Sequence, residues 1–325
     1  MAKFTIAVHG GSGTIRKENM TAELEAAYLQ GMNDALQAGY SILEKGGEAP
    51  EAVLAAVISL ENNILFNAGR GSVFTKTGTH EMDASIMDGR NLAAGAVAAV
   101  SNVRNPVELA YSVMKSSEHV FLCGAGAEEF ARQNGIAFEP DEYFFSEFRY
   151  SQWQAIKDSD ETALDHNIIP EVKEKKFGTV GAVVCDADGN LAAATSTGGM
   201  TNKQFGRIGD SPIIGIGTYA NNRTCAISCT GHGEPFIRAV AAYDVSCLVE
   251  YKGLSLEEAM NKVVMEKLKK LDGEGGMIGV DTKGNAAMIF NSEGMYRGMW
   301  TSEGRREAVI YRCVIETRMT RIRQN

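Results

Sequence analysis

The sequence predicts an α+β chain in which stacked β-sheets are covered by helices. Three observations point there. Strand-like runs occur in both halves of the 325 residues, blocks of helical periodicity flank them, and one hairpin pattern occurs twice. That pattern reads Val-x-x-Asp-x-x-Gly-Asn over 183–190 and Ile-Gly-Val-Asp-Thr-Lys-Gly-Asn over 278–285.

In chain order, Phe4–Val8 reads as a first strand. It runs into His9-Gly10-Gly11-Ser12-Gly13, a turn expected to be too rich in glycine to continue helix or sheet. A long helix follows from about Thr21 to Lys45, because Leu24, Tyr28, Leu29, Met32, Leu36, Ile42 and Leu43 fall on one stripe. Gly46-Gly47 stops it. A second helix, about Ala49 to Leu60, is apolar nearly all round and belongs between layers. Strands are expected at Glu81–Met87 and Ala93–Val100, and Pro106 opens a helix through Met114. From 135 to about 178 periodicity fades among charges and scattered aromatics (Tyr143, Phe144, Phe145, Tyr150, Trp153), as expected of a flexible surface linker. Thr179–Cys185 and Leu191–Ser196 then form a hairpin about Asp186–Asn190. Pro235–Glu250 and Ser255–Leu271 read as helices, the second fixed by the Ser255/Glu258 capping box. Met277–Asp281 and Ala286–Asn291 form the second hairpin.

Composition excludes several classes. Hydrophobic residues make up 44% and charged residues 22%, an ordinary globular balance, and the net charge of −9 is the wrong sign for a nucleic-acid binder. The basic tail (Arg305, Arg306, Arg312, Arg318, Arg321, Arg323) reads as a solvated last helix or frayed end. Cys123, Cys185, Cys225, Cys229 and Cys247 sit in apolar or strand-like surroundings and none belongs to a CxxC pair, so buried free thiols in a reducing, cytoplasmic setting are expected. No apolar run is long enough to span a membrane, and no signal segment opens the chain. No GxxxxGK[ST] occurs, nor a strand–GxGxxG–helix arrangement, which counts against a nucleotide binder.

The segment that carries chemistry is Phe177-Gly178-Thr179-Val180-Gly181-Ala182-Val183. A threonine hydroxyl is a weak nucleophile without a base beside it. If the Gly178–Thr179 bond is cut, Thr179 gains an α-amine of pKa about 7.7–8.0 close to its own Oγ, and one residue supplies nucleophile and base together. The hydroxyl can make that cut itself, by an N-to-O acyl shift followed by hydrolysis. Alone, a Gly-Thr at a strand start is a weak sign, since threonine suits strands anyway.

Its company is specific. Together with Gly-Thr-Val-Gly-Ala, the blocks are His9-Gly10-Gly11, Phe66-Asn67-Ala68-Gly69-x-Gly71, Met82-Asp83-Ala84-Ser85-Ile86-Met87-Asp88-Gly89, Ala194-Thr195-Ser196-Thr197-Gly198-Gly199, Gly206-Arg207-Ile208-Gly209-Asp210-Ser211-Pro212 and Cys229-Thr230-Gly231-His232-Gly233-Glu234. In order and spacing, from residue 4 to about 298, the chain resembles the plant-type asparaginases, or isoaspartyl peptidases. Ser12 stands where alanine is common in that family.

The resemblance implies a four-layer αββα sandwich of the N-terminal nucleophile hydrolase type, one structural domain cut into subunits 1–178 and 179–325. It also implies a dimer of two αβ units and a small-molecule or dipeptide substrate. Thr179 would attack a β-aspartyl amide, Thr197 would orient it, and Thr230 with Gly231 would form the oxyanion hole. Arg207 and Asp210 would hold the substrate's α-carboxylate and α-amine, a fork for a carboxylate and a carboxylate for an ammonium, with Gly231 and Asn67 nearby. A local Arg207–Asp210 salt bridge is the plainer alternative. His232 reads as structural. No cofactor serves the chemistry. By resemblance alone, the main chain of Leu60, Glu61, Asn63, Phe66, Ala68 and Arg70 would wrap a structural sodium ion, and Val113–His119 matches a loop that responds to potassium in some members. Three rivals share the fold: a glycosylasparaginase-like amidase, a threonine endopeptidase, and a non-catalytic amino-acid-binding homologue.

Overall fold

The protein is described here by a computed structural model covering residues 3–159, 162 and 176–312. Thirteen strands run through it: β1 (Thr5–Gly13), β2 (Met82–Asp88), β3 (Ala94–Val100), β4 (Phe121–Cys123), β5 (Lys176–Phe177), β6 (Val180–Cys185), β7 (Leu191–Thr197), β8 (Thr218–Ala220), β9 (Cys225–Gly231), β10 (Gly275–Asp281), β11 (Ala286–Phe290), β12 (Gly294–Thr301) and β13 (Arg306–Tyr311). Among the described residues they form two sheets. The larger runs β13-β12-β1-β6-β7-β2-β3-β4, with β5 paired to the end of β1, and the smaller runs β11-β10-β9-β8. The helices are α1 (Ala22–Glu44), α2 (Ala49–Glu61), α3 (Pro106–Ser116), α4 (Gly124–Gln133), α5 (Asp141–Phe144), α6 (Glu147–Ile156), α7 (Gly233–Ala239), α8 (Ala241–Lys252) and α9 (Leu256–Asn261). None of them is long and apolar enough to cross a membrane.

Side chains alternate across the large sheet with the strand period of two, and both faces are apolar. Ile6, Val8, Ala182, Val184, Ala192 and Ala194 pack with Met32, Leu36, Val53 and Val57 of α1 and α2. Ala7, Val183 and Ala193 point the other way, into a second core with Ile227, Cys229, Met277, Ile278, Val245 and Val263. The apolar helix α2 lies where its composition demands, with Ala52, Val53, Ala56 and Val57 fully buried. Thr21 caps α1 by accepting from the Leu24 N–H at 3.2 Å, and the Ser255/Glu258 capping box is formed. Both repeated hairpins are present, as β6–β7 and β10–β11.

Four expectations needed correction. The first strand does not stop at the glycines: β1 continues to Gly13, with its register to β12 shifting between His9 and Gly11. Gly10 takes the shift because a Cβ there would run into the Phe66 ring, so close approach is what its glycine serves. Pro235–Glu250 is two helices, broken at Val240, whose φ of +51° is a left-handed conformation rare for a β-branched residue. The stretch expected as a linker begins with ordered helices: Phe144 and Arg149 are buried, and Trp153 stacks on Phe74 at 5.6 Å. Aromatic residues there found partners across the fold, which local periodicity does not register; most of its remainder, 160–161 and 163–175, lies outside the described residues. Arg306 begins an edge strand instead of a last helix, and Arg318, Arg321 and Arg323 lie outside the described residues.

Candidate active site

Thr179 sits between two strands that both pair with β1. Ser12 is opposite Phe177 and His9 is opposite Gly181. Between those pairs β1 has two residues (Gly10, Gly11) and the facing chain has three (Gly178, Thr179, Val180). The surplus residue lifts Gly178–Thr179 out of the ladder, as in a β-bulge. Thr179 is 6% exposed, and its Oγ1 donates to Thr197 Oγ1 at 3.1 Å. Thr197 Oγ1 also accepts the Gly199 N–H at 3.0 Å, which fixes its orientation. Asn67 clamps this turn: its Nδ2 donates to the Gly199 carbonyl at 2.8 Å, its carbonyl accepts the Gly198 N–H at 3.0 Å, and its Oδ1 accepts the Val73 N–H at 3.0 Å. Asn67 thus reaches Thr179 through Gly199 and Thr197.

Thr230 and Gly231 end β9. Thr230 is fully buried, and its Oγ1 has no hydrogen-bond partner within the protein. Gly231 has φ +154°, and a Cβ there would lie 2.5 Å from the Glu274 carbonyl oxygen, so no other residue fits. Ser12 Oγ donates to the Thr230 carbonyl at 3.2 Å, which gives the serine a contact that alanine lacks.

Arg207 and Asp210 lie on the connection from β7 to β8. They do not form the simple local salt bridge. Arg207 gives Nε and Nη2 to Glu234 at 3.0 and 2.9 Å, and His232 Nε2 meets the same carboxylate at 3.1 Å. His232 and then Arg207 hold the Glu234 carboxyl well below the usual carboxylate range. Asp210 is buried with Oδ2 unpartnered within the protein; burial pushes its carboxyl up to about 7 against the pull of Arg207. Gly233 lets the start of α7 abut the pair, since a Cβ there would stand 3.0 Å from Asp210 Oδ1 and 3.1 Å from Arg207 Nη2. An unpartnered buried polar atom costs about 1–3 kcal/mol, so Thr230 Oγ1 and Asp210 Oδ2 are free to accept a hydrogen bond from, or donate one to, a group outside the protein.

Of the expected cation loop, Leu60 and Glu61 end α2 and the rest form the turn beyond it. The loop curls back at Gly69 (φ +51°), where a Cβ would lie 2.6 Å from the Glu61 carbonyl oxygen. The Glu61 side chain is engaged elsewhere, accepting from Ser196 Oγ at 2.6 Å, Asn105 Nδ2 at 3.0 Å and the Val107 N–H at 3.0 Å. Arg70 turns its guanidinium over Tyr143. Val113–His119 is the end of α3 and the turn after it.

Sequence reasoning missed three residues. His9 opens one of the quoted blocks and the glycine turn but carries no role there, yet its Nδ1 lies 3.1 Å from the Thr179 carbonyl oxygen and its Nε2 2.9 Å from Ser228 Oγ. Ser228 carried no local signal. Glu234 lay inside a quoted block, and a carboxylate two residues beyond a histidine beside the expected guanidinium was the available sign.

Residues 2–310 match the family described as asparaginase. A Salmonella typhimurium protein named isoaspartyl peptidase is 54% identical over 297 residues, covering 91% of this chain and 95% of that protein. An Escherichia coli protein of the same name is 52% identical, covering 91% and 92%. A Mus musculus isoaspartyl peptidase/L-asparaginase is 42% identical over 315 residues, covering 96% and 92%.

Proposed function

The chain belongs to the asparaginase family, and from that premise we propose that it is a self-cleaving threonine amidohydrolase acting on β-aspartyl amide bonds, in isoaspartyl dipeptides and L-asparagine. The observation that carries this is the buried 3.1 Å contact between the Thr179 and Thr197 hydroxyls, at a peptide bond lifted out of the sheet.

Activation comes first. Thr179 Oγ attacks the Gly178 carbonyl, the C–N bond breaks as the nitrogen takes a proton, and the acyl group passes to oxygen. Water then hydrolyses that ester, leaving a Gly178 carboxylate and a free Thr179 α-amine. In turnover the α-amine takes the Oγ proton as Oγ attacks the substrate's side-chain carbonyl. The Thr230 hydroxyl and the Gly231 N–H receive the oxyanion. Collapse expels ammonia or an amino acid, which carries off the proton, and water releases aspartate from the β-aspartyl ester. Asp210 takes the substrate ammonium. The Arg207 edge not used by Glu234 takes the α-carboxylate, and Gly231 and Asn67 border the pocket.

The two apolar cores, one on each face of the large sheet, support reading the layers as an αββα sandwich of one domain. Its subunits would be 1–178 and 179–325, paired as a dimer of αβ units. A hard cation such as sodium suits the carbonyls of Leu60, Glu61, Asn63, Phe66, Ala68 and Arg70; held there it would stiffen the loop from which Asn67 grips Gly198 and Gly199. The cytoplasm is the setting that suits the free thiols, of which Cys185, Cys225 and Cys229 are buried as expected, while Cys247 is half-buried and Cys123 is exposed.

Purified protein is expected to run as two fragments on a denaturing gel, the second with Thr179 as its first residue. It should release aspartate from a β-aspartyl dipeptide faster than from a glycosylated asparagine. A single intact band in fully active protein would overturn the reading.

The raised carboxyl of Asp210 adds a pH dependence. Only the ionised form pairs with the substrate ammonium, and burial holds that carboxyl neutral below about 7. KM should therefore climb as pH falls through that value, by about tenfold for each unit below it. The check is KM against pH, and a flat profile from pH 8 to 6 would show that no carboxyl titrating near 7 pairs with the substrate ammonium.

A further inference from the structure

We infer that His9 is the positioning residue that holds Thr179 in place once it has become a chain end, an inference that rests on Thr179 being the nucleophile proposed above. The hydrogen bonds fix the form of the ring. A carbonyl oxygen can only accept, so His9 Nδ1 donates to the Thr179 carbonyl at 3.1 Å. Nε2 then accepts from the Ser228 hydroxyl at 2.9 Å. This ring is neutral, and burial, which lowers its imidazole to about 3, keeps it so.

Ser228 is itself held. With its proton given to His9, its Oγ accepts from Thr195 Oγ1 at 2.7 Å, and Thr195 accepts from Thr218 Oγ1 at 2.5 Å. All four side chains are fully buried. They come from β8, β7, β9 and β1 in turn, so a relay of hydroxyls passes back and forth between the small sheet and the large one and ends on the ring. Gly181, opposite His9 in the ladder, leaves room for it, because a Cβ there would collide with Ser228 Oγ and the His9 ring.

An anchor is needed because cleavage removes every restraint on the amino side of Thr179. Chain ends fray unless tied down, and a reacting group must be held to within about 0.5 Å of its productive place. The Thr197 contact restrains only the side chain. His9 grips the carbonyl attached to the Cα that bears both the α-amine and the hydroxyl-carrying Cβ. Three residues on, Ser12 of the same strand holds the Thr230 carbonyl at 3.2 Å. Strand β1 thus spaces the nucleophile against the oxyanion donors.

The test compares His9→Leu, His9→Asn and His9→Gln, with kcat expressed per chain carrying Thr179 as its first residue. Leucine removes the donor, and kcat should fall about 100-fold, the cost of roughly an ångström of misplacement, with KM inside about threefold of native because the substrate's contacts are untouched. Asparagine places an N–H where Nδ1 stands and should return kcat to within about tenfold of native. Glutamine reaches only toward Ser228 and should behave like leucine. Equal losses in the leucine and asparagine variants, or a cleaved leucine variant with native kcat, would overturn the proposal. Should these variants fail to fold, Ser228→Ala decides: it leaves Nε2 without its donor and should lower kcat by about tenfold at constant KM, and an unchanged kcat counts against the proposal. Native protein that is active yet uncut overturns the parent reading and this one with it. Native protein that is cut and active but indifferent to His9 overturns this one alone.

Discussion

Thr179→Ala is expected to remain one full-length polypeptide and to lose activity by a factor on the order of 10⁴ to 10⁶ in kcat. The same hydroxyl is asked to break the Gly178–Thr179 bond and then to attack substrate, so its removal blocks both steps. Loss of the 3.1 Å hydrogen bond to Thr197 costs about 1 kcal/mol of stability, far too little to unfold a chain with two apolar cores. A folded, uncut and silent protein is therefore the predicted outcome. Thr179→Ser separates reagent from scaffold: it keeps a hydroxyl but loses the methyl that restricts the χ1 rotamer. It should still cleave itself, more slowly, and turn over with reduced kcat. Gel mobility and aspartate release measure both variants. An alanine variant that processes and hydrolyses β-aspartyl substrates would end the assignment.

Thr230→Val should move stability and activity in opposite directions. The Thr230 hydroxyl is buried without a partner in the protein, and valine matches its shape without the polar atom. Removing an unsatisfied group relieves about 1–3 kcal/mol, so Tm should hold or rise. The same change deletes the proposed oxyanion donor, a loss that should cost about 10²–10³ in kcat. The variant should still be cut at Thr179 in time, since its nucleophile is intact. Thermal unfolding alongside steady-state kinetics decides the matter: a destabilised variant with native kcat would show that Thr230 is a packing residue.

How much of this was legible follows from how local each signal is. Helix α1 was written into its apolar stripe, the start of α9 into its Ser255/Glu258 capping box, and the hairpins into Asp-x-x-Gly-Asn turns, because such signals lie within a few residues. Thr179, Thr197, Thr230, Arg207 and Asp210 were picked out by blocks whose order and spacing are specific. His9 stands in such a block too, but its role was not legible, because it exists only when β1, β6 and β9 come together. Its partner Ser228 lies 219 residues away. The extension of β1 through four residues of glycine and serine was hidden for a related reason: the Phe66 ring that needs Gly10 is brought there by tertiary packing. Arg149 was hidden in the same way. Its Nε and Nη2 donate to the carbonyls of Gly71 and Leu65 at 3.1 and 3.3 Å, and nothing in a charged, aromatic stretch announces that the cation goes inside.

The strand order of the large sheet has a consequence for the protein once it is cut as proposed. Strands β12 and β13 follow the scissile bond, β1 precedes it, β6 and β7 follow it, and β2, β3 and β4 precede it. Cutting the chain therefore yields two polypeptides shuffled like cards through one sheet, meeting at the β12–β1, β1–β6 and β7–β2 seams. Neither piece owns a continuous half of the molecule. They can part company only by surrendering the sheet altogether, so the nick frees a chain end without loosening the body that carries it.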